Sequence, residues 1–366
     1  MNRFLCTSLM WLSLIGLTAA DTTDFQAGAA SIDISPRTLP AIRNGGFLQA
    51  TSDRVDDPLH ARCLVLADGK ETIAIAIVDS CMFPTDVCDA IKDLVHDRIG
   101  LRKDRILISA THTHSAPSVM SLCLGTGRDD AYTDFVVPRV ASGIVAAYEN
   151  RQPAKIGWTS VNTPELTNCR RWITRSDRLG TDPFGSQTVR AMMHPGYLNP
   201  DYVCPAGPID PELSVVSVVA REGDRPLCVM ANFSMHYFGG GAGFSADYFG
   251  KAAAVIESKL AGDDEGFVGI MSQGTSGDLH WMDYSRPQTR ITQAEYADQI
   301  SDRVITACSQ IQHRADVELA MAESRIQLGR RLPNANRLAW AGPINQRRGN
   351  QPPRDPPEVY ACLLYT

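Results

Sequence analysis

Thr111-His112-Thr113-His114-Ser115 sets two imidazoles two residues apart, directly after the apolar run Ile106-Leu107-Ile108-Ser109-Ala110. That run reads as a buried strand, and side chains at i and i+2 of a strand project to the same side. On a helix the same spacing would point them apart. Strand geometry thus offers two ring nitrogens to one point in space. Such a point suits a divalent metal, or an activated water and the group that moves its proton. The rival reading is two ordinary polar residues on a loop.

Three other segments also follow apolar runs. Asn232-Phe233-Ser234-Met235-His236 delivers a third histidine just before Gly239-Gly240-Gly241, where the backbone is free to approach a neighbour closely. A lone histidine at a strand end is more often a satisfied polar residue. Ser245-Ala246-Asp247-Tyr248 opens a helix: Ser245 or Asp247 would cap it, or Asp247 would orient a ligand histidine from behind. Met271-Ser272-Gln273-Gly274-Thr275-Ser276-Gly277-Asp278-Leu279-His280 runs from a strand into a small-residue loop. Its amides would suit a developing oxyanion, and Asp278 and His280 would reach a metal or substrate. The alternative is a glycine-rich turn with an exposed histidine. In Asn168-Cys169-Arg170-Arg171-Trp172, one arginine of the pair would clamp a carbonyl or carboxylate, unless both lie on a solvated surface.

The elements that must position these residues alternate. Strands are predicted at 61–67 and 72–78, joined by the hairpin signal Asp68-Gly69, then at 105–110, 156–159, 213–219, 227–233 and 267–271. Helices are predicted from Pro84 to Gly100, over 132–148 with Pro138 as a kink or the true start, over 247–260, and from the capping box Thr292-x-x-Glu295 to about 311. A closing strand is expected at 317–326. The fold class is α/β: a mixed β-sheet with flanking helices in a single large domain, the site lying on loops at strand ends. Residues 162–210 lack periodicity and read as a long insertion, a lid or substrate wall. Residues 330–366 read as an irregular tail rich in Arg and Pro.

The chain has 366 residues and a formal net charge of −6, with no basic stripe, which sets nucleic acid aside. Residues 1–20 carry Arg3, an apolar core and Thr18-Ala19-Ala20, the pattern of a cleaved signal peptide, so export is expected. Of ten cysteines only Cys6 precedes Asp21, which leaves an odd number after cleavage. Cys63, Cys228 and Cys308 read as buried thiols. Cys169 and Cys204 would bridge the long insertion.

Taken in order, these segments resemble the catalytic domain of the neutral/alkaline, non-lysosomal ceramidases. Ala27-Gly28-Ala29-Ala30-Ser31-Ile32-Asp33-Ile34-Ser35-Pro36 is similar to the family's opening strand. Ile108 through Pro117 is similar to its Thr-His-Thr-His-Ser-Gly-Pro signature. Asn168-Cys169-Arg170 resembles an Asn-Arg segment, Phe233-Ser234-Met235-His236 a Phe-x-x-His, and the 272–278 loop a Gln-Ser-Asn-x-Gly-Asp loop. The resemblance implies a catalytic domain over 21–329 that hydrolyses N-acylsphingosine to fatty acid and sphingosine at a Zn2+ site. It implies a lipid amide as substrate and contact with a membrane surface. His112 and His236 would be zinc ligands, His114 would assist proton transfer, and Arg170 would bind the polar part of the substrate.

Two departures stand out. Gly277-Asp278-Leu279-His280-Trp281-Met282 occupies the place of the family's Gly-Asp-x-Ser-Pro-Asn, so His280 stands where a serine would. No Pro-Gly-Glu segment, which brings the family's further zinc ligands, precedes Thr366. Asp278, Asp247 or His280 would then substitute, or the chain is a truncated form. Three functions follow: an exported zinc-dependent amide hydrolase, a non-catalytic scaffold on the same fold, or a hydrolase of another ester or amide.

Overall fold

The computed structural model describes residues 25–261 and 266–365, so the leader expected over 1–20 lies outside the described residues. The main elements are β1 (Gln26–Asp33), β2 (His60–Ala67), β3 (Thr72–Val78), α1 (Thr85–Ile99), β4 (Ile106–Ala110), α2 (Asp130–Glu149), β5 (Gln152–Asn162), β6 (Glu212–Ala220), β7 (Pro226–Phe233), α3 (Asp247–Leu260), β8 (Val268–Gln273) and α4 (Gln293–Cys308). The eight strands form one mixed sheet in the order β8-β7-β6-β5-β1-β2-β3-β4. Only β3/β4 and β7/β8 pair in parallel, and each is a strand-helix-strand unit, through α1 and α3 respectively.

Burial along the strands explains the layers. Residues 61–67 of β2 are buried without interruption: Ala61, Cys63 and Val65 face one core, Leu64 and Leu66 another. A strand covered on both faces needs a layer on each side. Against Ala61, Cys63 and Val65 lie Val87, Ile91 and Val95 of α1 and Val136, Val140 and Ile144 of α2. On the other half, Leu213, Val215, Val229 and Phe233 meet Ile256 of α3 and Ile300 and Val304 of α4. The remaining faces pack on each other, Leu64, Leu66 and Ile77 against Ile156, Val218, Leu227 and Ile270. The sheet therefore folds over on itself. The fold line is the β1–β5 seam, where only Gln26↔Pro153 and Ala27↔Gln152 pair. Its two edges, β4 and β8, approach each other. This closure carries the loop after β4 toward the loops after β7 and β8.

The sequence-predicted elements appear with small shifts. The capping box is formed both ways, Thr292 accepting from the Glu295 amide and Glu295 from the Thr292 amide. Helix α2 begins at the Asp129 cap and runs through Pro138; the apolar face of Val136, Val140, Ala141 and Ile144 outweighs one lost backbone bond. Three expectations need correction. Residues 317–326 carry no strand: Val317 and Leu319 lean on the inner core, but Ile326 is 74% exposed, so no second face is buried. Residues 330–366 are not irregular throughout: α5 (Ala335–Arg348) and α6 (Pro356–Leu363) form there, capped by Asn334 and Asp355. Cys169 is a buried thiol and Cys204 an exposed one, with no bridge between them.

The 162–210 segment is built of short pieces. Asn168–Cys169 pairs with Leu279–His280, and Arg171–Thr174 lies between Ala191–Met193 and Tyr202–Pro205. No helix of the described residues is long and apolar enough to cross a membrane.

Candidate metal centre

Strand β4 ends at Ala110, and the chain beyond it keeps following β3 for two residues. The Thr111 amide donates to the Val78 carbonyl at 2.9 Å and the His112 amide to the Ser80 carbonyl at 2.9 Å. His112 then takes a left-handed backbone, φ +67°. The histidine pair converges, but through this turn and not through strand alternation. The turn is pinned to the start of α3: Thr113 Oγ1 donates to the Ser245 carbonyl at 2.7 Å, and the Ser245 amide to the Ser115 carbonyl at 2.7 Å.

Three histidine rings meet here. Centroids are 4.7 Å apart for His112 and His114, 4.6 Å for His112 and His236, and 5.3 Å for His114 and His236. His112 Nδ1 lies 2.7 Å from the Cys81 carbonyl, and His236 Nδ1 lies 3.1 Å from the Ser276 carbonyl. A carbonyl only accepts, so both Nδ1 atoms carry the proton and both Nε2 atoms keep a lone pair. Arg170 gives an independent check on His236. Its Nη2 is 3.3 Å from His236 Nε2, and a guanidinium only donates. The His114 ring is held by a hydrogen bond with the Gly45 backbone and by stacking on Tyr237 at 3.7 Å.

Electrostatics keep these rings neutral. Burial, then the neighbouring histidines and Arg170, push His114 down to about 2. Burial and then Arg170 push His236 down to about 3. Burial also lowers His112. Neutral imidazole is the ligating form.

The donor set fits a divalent metal. His112 Nε2 and His114 Nε2 are 3.1 Å apart. Two nitrogens bound tetrahedrally at 2.0–2.1 Å would stand roughly 3.3 Å apart. One donor atom from each of Cys81, His112 and His114 lies within 4.8 Å of the other two, the one such trio of His, Cys, Asp or Glu among the described residues.

Arg170 is 8% exposed. Its amide donates to the Asp278 carbonyl at 2.7 Å, and its guanidinium to the Gly277 carbonyl at 2.8 Å. Among the described residues no carboxylate pairs with it. The loop after β8 thus turns two carbonyls inward, Ser276 to His236 and Gly277 to Arg170. Asp278 reaches the cluster through its main chain, with its side chain exposed. His280 is buried, lies beyond Tyr237 at 6.1 Å, and faces His194 at 5.1 Å. Its Nδ1 has no hydrogen-bond partner. Asp247 makes no direct hydrogen bond to a histidine and meets α3 only at the Tyr248 amide of its first turn. Its buried carboxylate accepts from the amides of Phe238, Gly239 and Tyr248, fixing the glycine loop behind His236.

Cys81, His194 and Tyr237 are site residues that sequence reasoning missed. Cys81 carried one usable signal: it follows the carboxyl end of β3, the same kind of position as His112 and His236. His194 lies in the weakly patterned insertion, and Tyr237 reads as an apolar residue beside a histidine.

No protein-family model matches the chain, and no curated protein does. Several solved chains share its fold, two of them ceramidases. Neutral ceramidase from Pseudomonas aeruginosa superposes with a TM-score of 0.60 at 17% identity, over 79% of this chain and 45% of that one. A ceramidase complexed with C2 superposes with a TM-score of 0.58 at 18% identity, over 79% of this chain and 44% of that one. The fold is ceramidase-like, and the chain spans less than half the length of these structures.

Proposed function

We propose that this chain is an exported, zinc-dependent amide hydrolase of neutral-ceramidase type, acting on the amide of an N-acyl lipid at a membrane surface. The observation that carries the reading is the convergence of His112, His114 and His236 from two strand ends, with the Nδ1 atoms of His112 and His236 committed to main-chain carbonyls. Zinc, when bound, supplies Lewis acidity to water and to the amide carbonyl. His112 and His236 would hold it through Nε2, the His236 nitrogen giving up its contact with Arg170 Nη2. Arg170, buried with no carboxylate partner, donates to the substrate oxygen as negative charge develops there. The reaction forms a C–O bond from water and breaks the C–N bond. His114 Nε2 is placed to carry the water's proton to the departing nitrogen. Residues 162–210, which contribute Arg170 and His194, form the substrate wall.

A second reading, hydrolysis of another ester or amide, is favoured by His280. Its buried, unpartnered Nδ1 lies in the loop where the ceramidases carry a serine, and it offers a polar contact to a different head group.

The test is metal content and product release by the purified full chain supplied with zinc. Stoichiometric zinc and fatty-acid release from N-acylsphingosine support the first reading. Release from other amides or esters alone supports the second. Absence of both metal and hydrolysis across the panel overturns the two together.

A further inference from the structure

A catalytic zinc ordinarily has three protein ligands, and two imidazoles alone hold it weakly. We infer that Cys81 is a further ligand of that ion, binding as a thiolate beside His112. This rests on the metal-dependent reading above and adds a donor type to it.

Three observations carry the inference. Cys81 Sγ lies 3.8 Å from His112 Nδ1, and its own carbonyl holds that nitrogen at 2.7 Å, so one residue both orients His112 and stands beside it. The thiol shares the 4.8 Å space of the His112 and His114 donors, where no Asp or Glu enters among the described residues. The surrounding charge also calls for an anion. Arg170 is buried at the site, and among the described residues no carboxylate pairs with it. A divalent ion placed there would add charge of the same sign, and a thiolate offsets it within hydrogen-bonding range of the cluster.

Cys81 is 1% exposed. Binding exchanges the S–H bond for an S–metal bond and releases the proton to solvent, so zinc uptake falls with acidity. A thiolate also shifts the site's preference toward soft ions over magnesium or calcium.

The full chain loaded with cobalt(II) in place of zinc tests the assignment. The expected result is a thiolate-to-cobalt charge-transfer band in the near ultraviolet, absent from Cys81→Ser although that variant still takes up cobalt. The zinc form of the unaltered chain provides a measurement that does not depend on the variant folding. X-ray absorption should show one sulfur neighbour at about 2.3 Å among nitrogen and oxygen neighbours. Cobalt uptake with no such band, and zinc ringed by nitrogen and oxygen alone, overturn the thiolate while leaving the metal reading intact. Failure to take up either ion overturns both.

Discussion

His112 Nε2 and His114 Nε2 face each other across 3.1 Å. With His112 Nδ1 on the Cys81 carbonyl, its Nε2 is the acceptor in this contact and His114 Nε2 the donor. A metal bound at His112 Nε2 takes the place of that hydrogen bond with a stronger partner, so metal should stabilise the folded chain. Zinc at a hundredfold its dissociation constant is expected to add about 2.7 kcal/mol to unfolding free energy. His112→Ala should abolish this gain, and His236→Ala should reduce it, as read by thermal unfolding with and without zinc. An equal shift in both variants and the unaltered chain would place the metal elsewhere.

Arg170 is the buried guanidinium that, among the described residues, reaches a histidine of the cluster. Removing a donor that acts on developing charge typically lowers kcat by about 10²- to 10³-fold. Arg170→Lys keeps the charge but loses the planar fork that holds the Gly277 carbonyl at 2.8 Å and His236 at 3.3 Å. It should lower kcat more than it raises KM, with zinc content unchanged. A pure KM effect would make Arg170 a binding residue with no share in the transition state.

Acid should destabilise the metal-free chain in a defined window. His280 is pushed down to about 3, by burial first and then by His194 and Arg170. In the unfolded chain it titrates near 6.5. Between those values the unfolded state binds the extra proton. Its contribution to stability is therefore complete above pH ~6.5 and is lost as pH falls toward ~3, at up to about 1.4 kcal/mol per pH unit. His280→Gln should flatten the slope of unfolding free energy between pH 6 and 4 by up to that amount, measured by urea unfolding in a chelator. An unchanged slope would mean that His280 titrates normally in the fold.

Much of this architecture was legible because its signals are local. Runs of apolar and β-branched residues located β2, β3, β6 and β7, and Thr292 with Glu295 announced α4. The histidines were recognisable as a group, but the cause of their convergence was not. It depends on the left-handed turn at His112, which no residue type at that position betrays. Cys81 drew no reading of its own, because its closeness to His112 and His114 exists only after β3 and β4 pair. The tail helices did have readable starts, Asn334 and Asp355-Pro356, each cap accepting from the amide three residues on. The Arg- and Pro-rich composition around them masked those caps.

Beneath the metal loop, Arg62 Nη1 meets Asp79 Oδ2 at 2.7 Å with both side chains buried. The same carboxylate oxygen accepts from the His60 amide at 2.9 Å. Removing one partner strands a buried charge, which typically costs about 3–5 kcal/mol. Asp79→Ala should lose stability in that range, and because Asp79 leads into Ser80 and Cys81, zinc affinity should fall with it. Arg62→Met with Asp79→Leu restores apolar packing and should recover most of the stability. If the double variant is no more stable than Asp79→Ala, the pair does more than neutralise itself.

Gly45 sets how far the His114 ring can retreat. A Cβ there would lie 2.4 Å from His114 Cγ and 2.7 Å from its Cα, and the residue has φ +92°. Gly45→Ala therefore combines backbone strain with displacement of the ring from His112. Gly69→Ala separates the two effects: Gly69 has φ +85°, yet a Cβ there meets nothing within 4 Å. Gly69→Ala should lose on the order of 1–2 kcal/mol for the left-handed backbone, and Gly45→Ala more, because its Cβ also presses on the His114 main chain. Only Gly45→Ala should lower turnover as well, tenfold or more, because a displacement of roughly 1 Å is enough to spoil a reacting geometry. Equal turnover in the two variants would show that the 3.1 Å spacing of His112 and His114 is not needed for the chemistry.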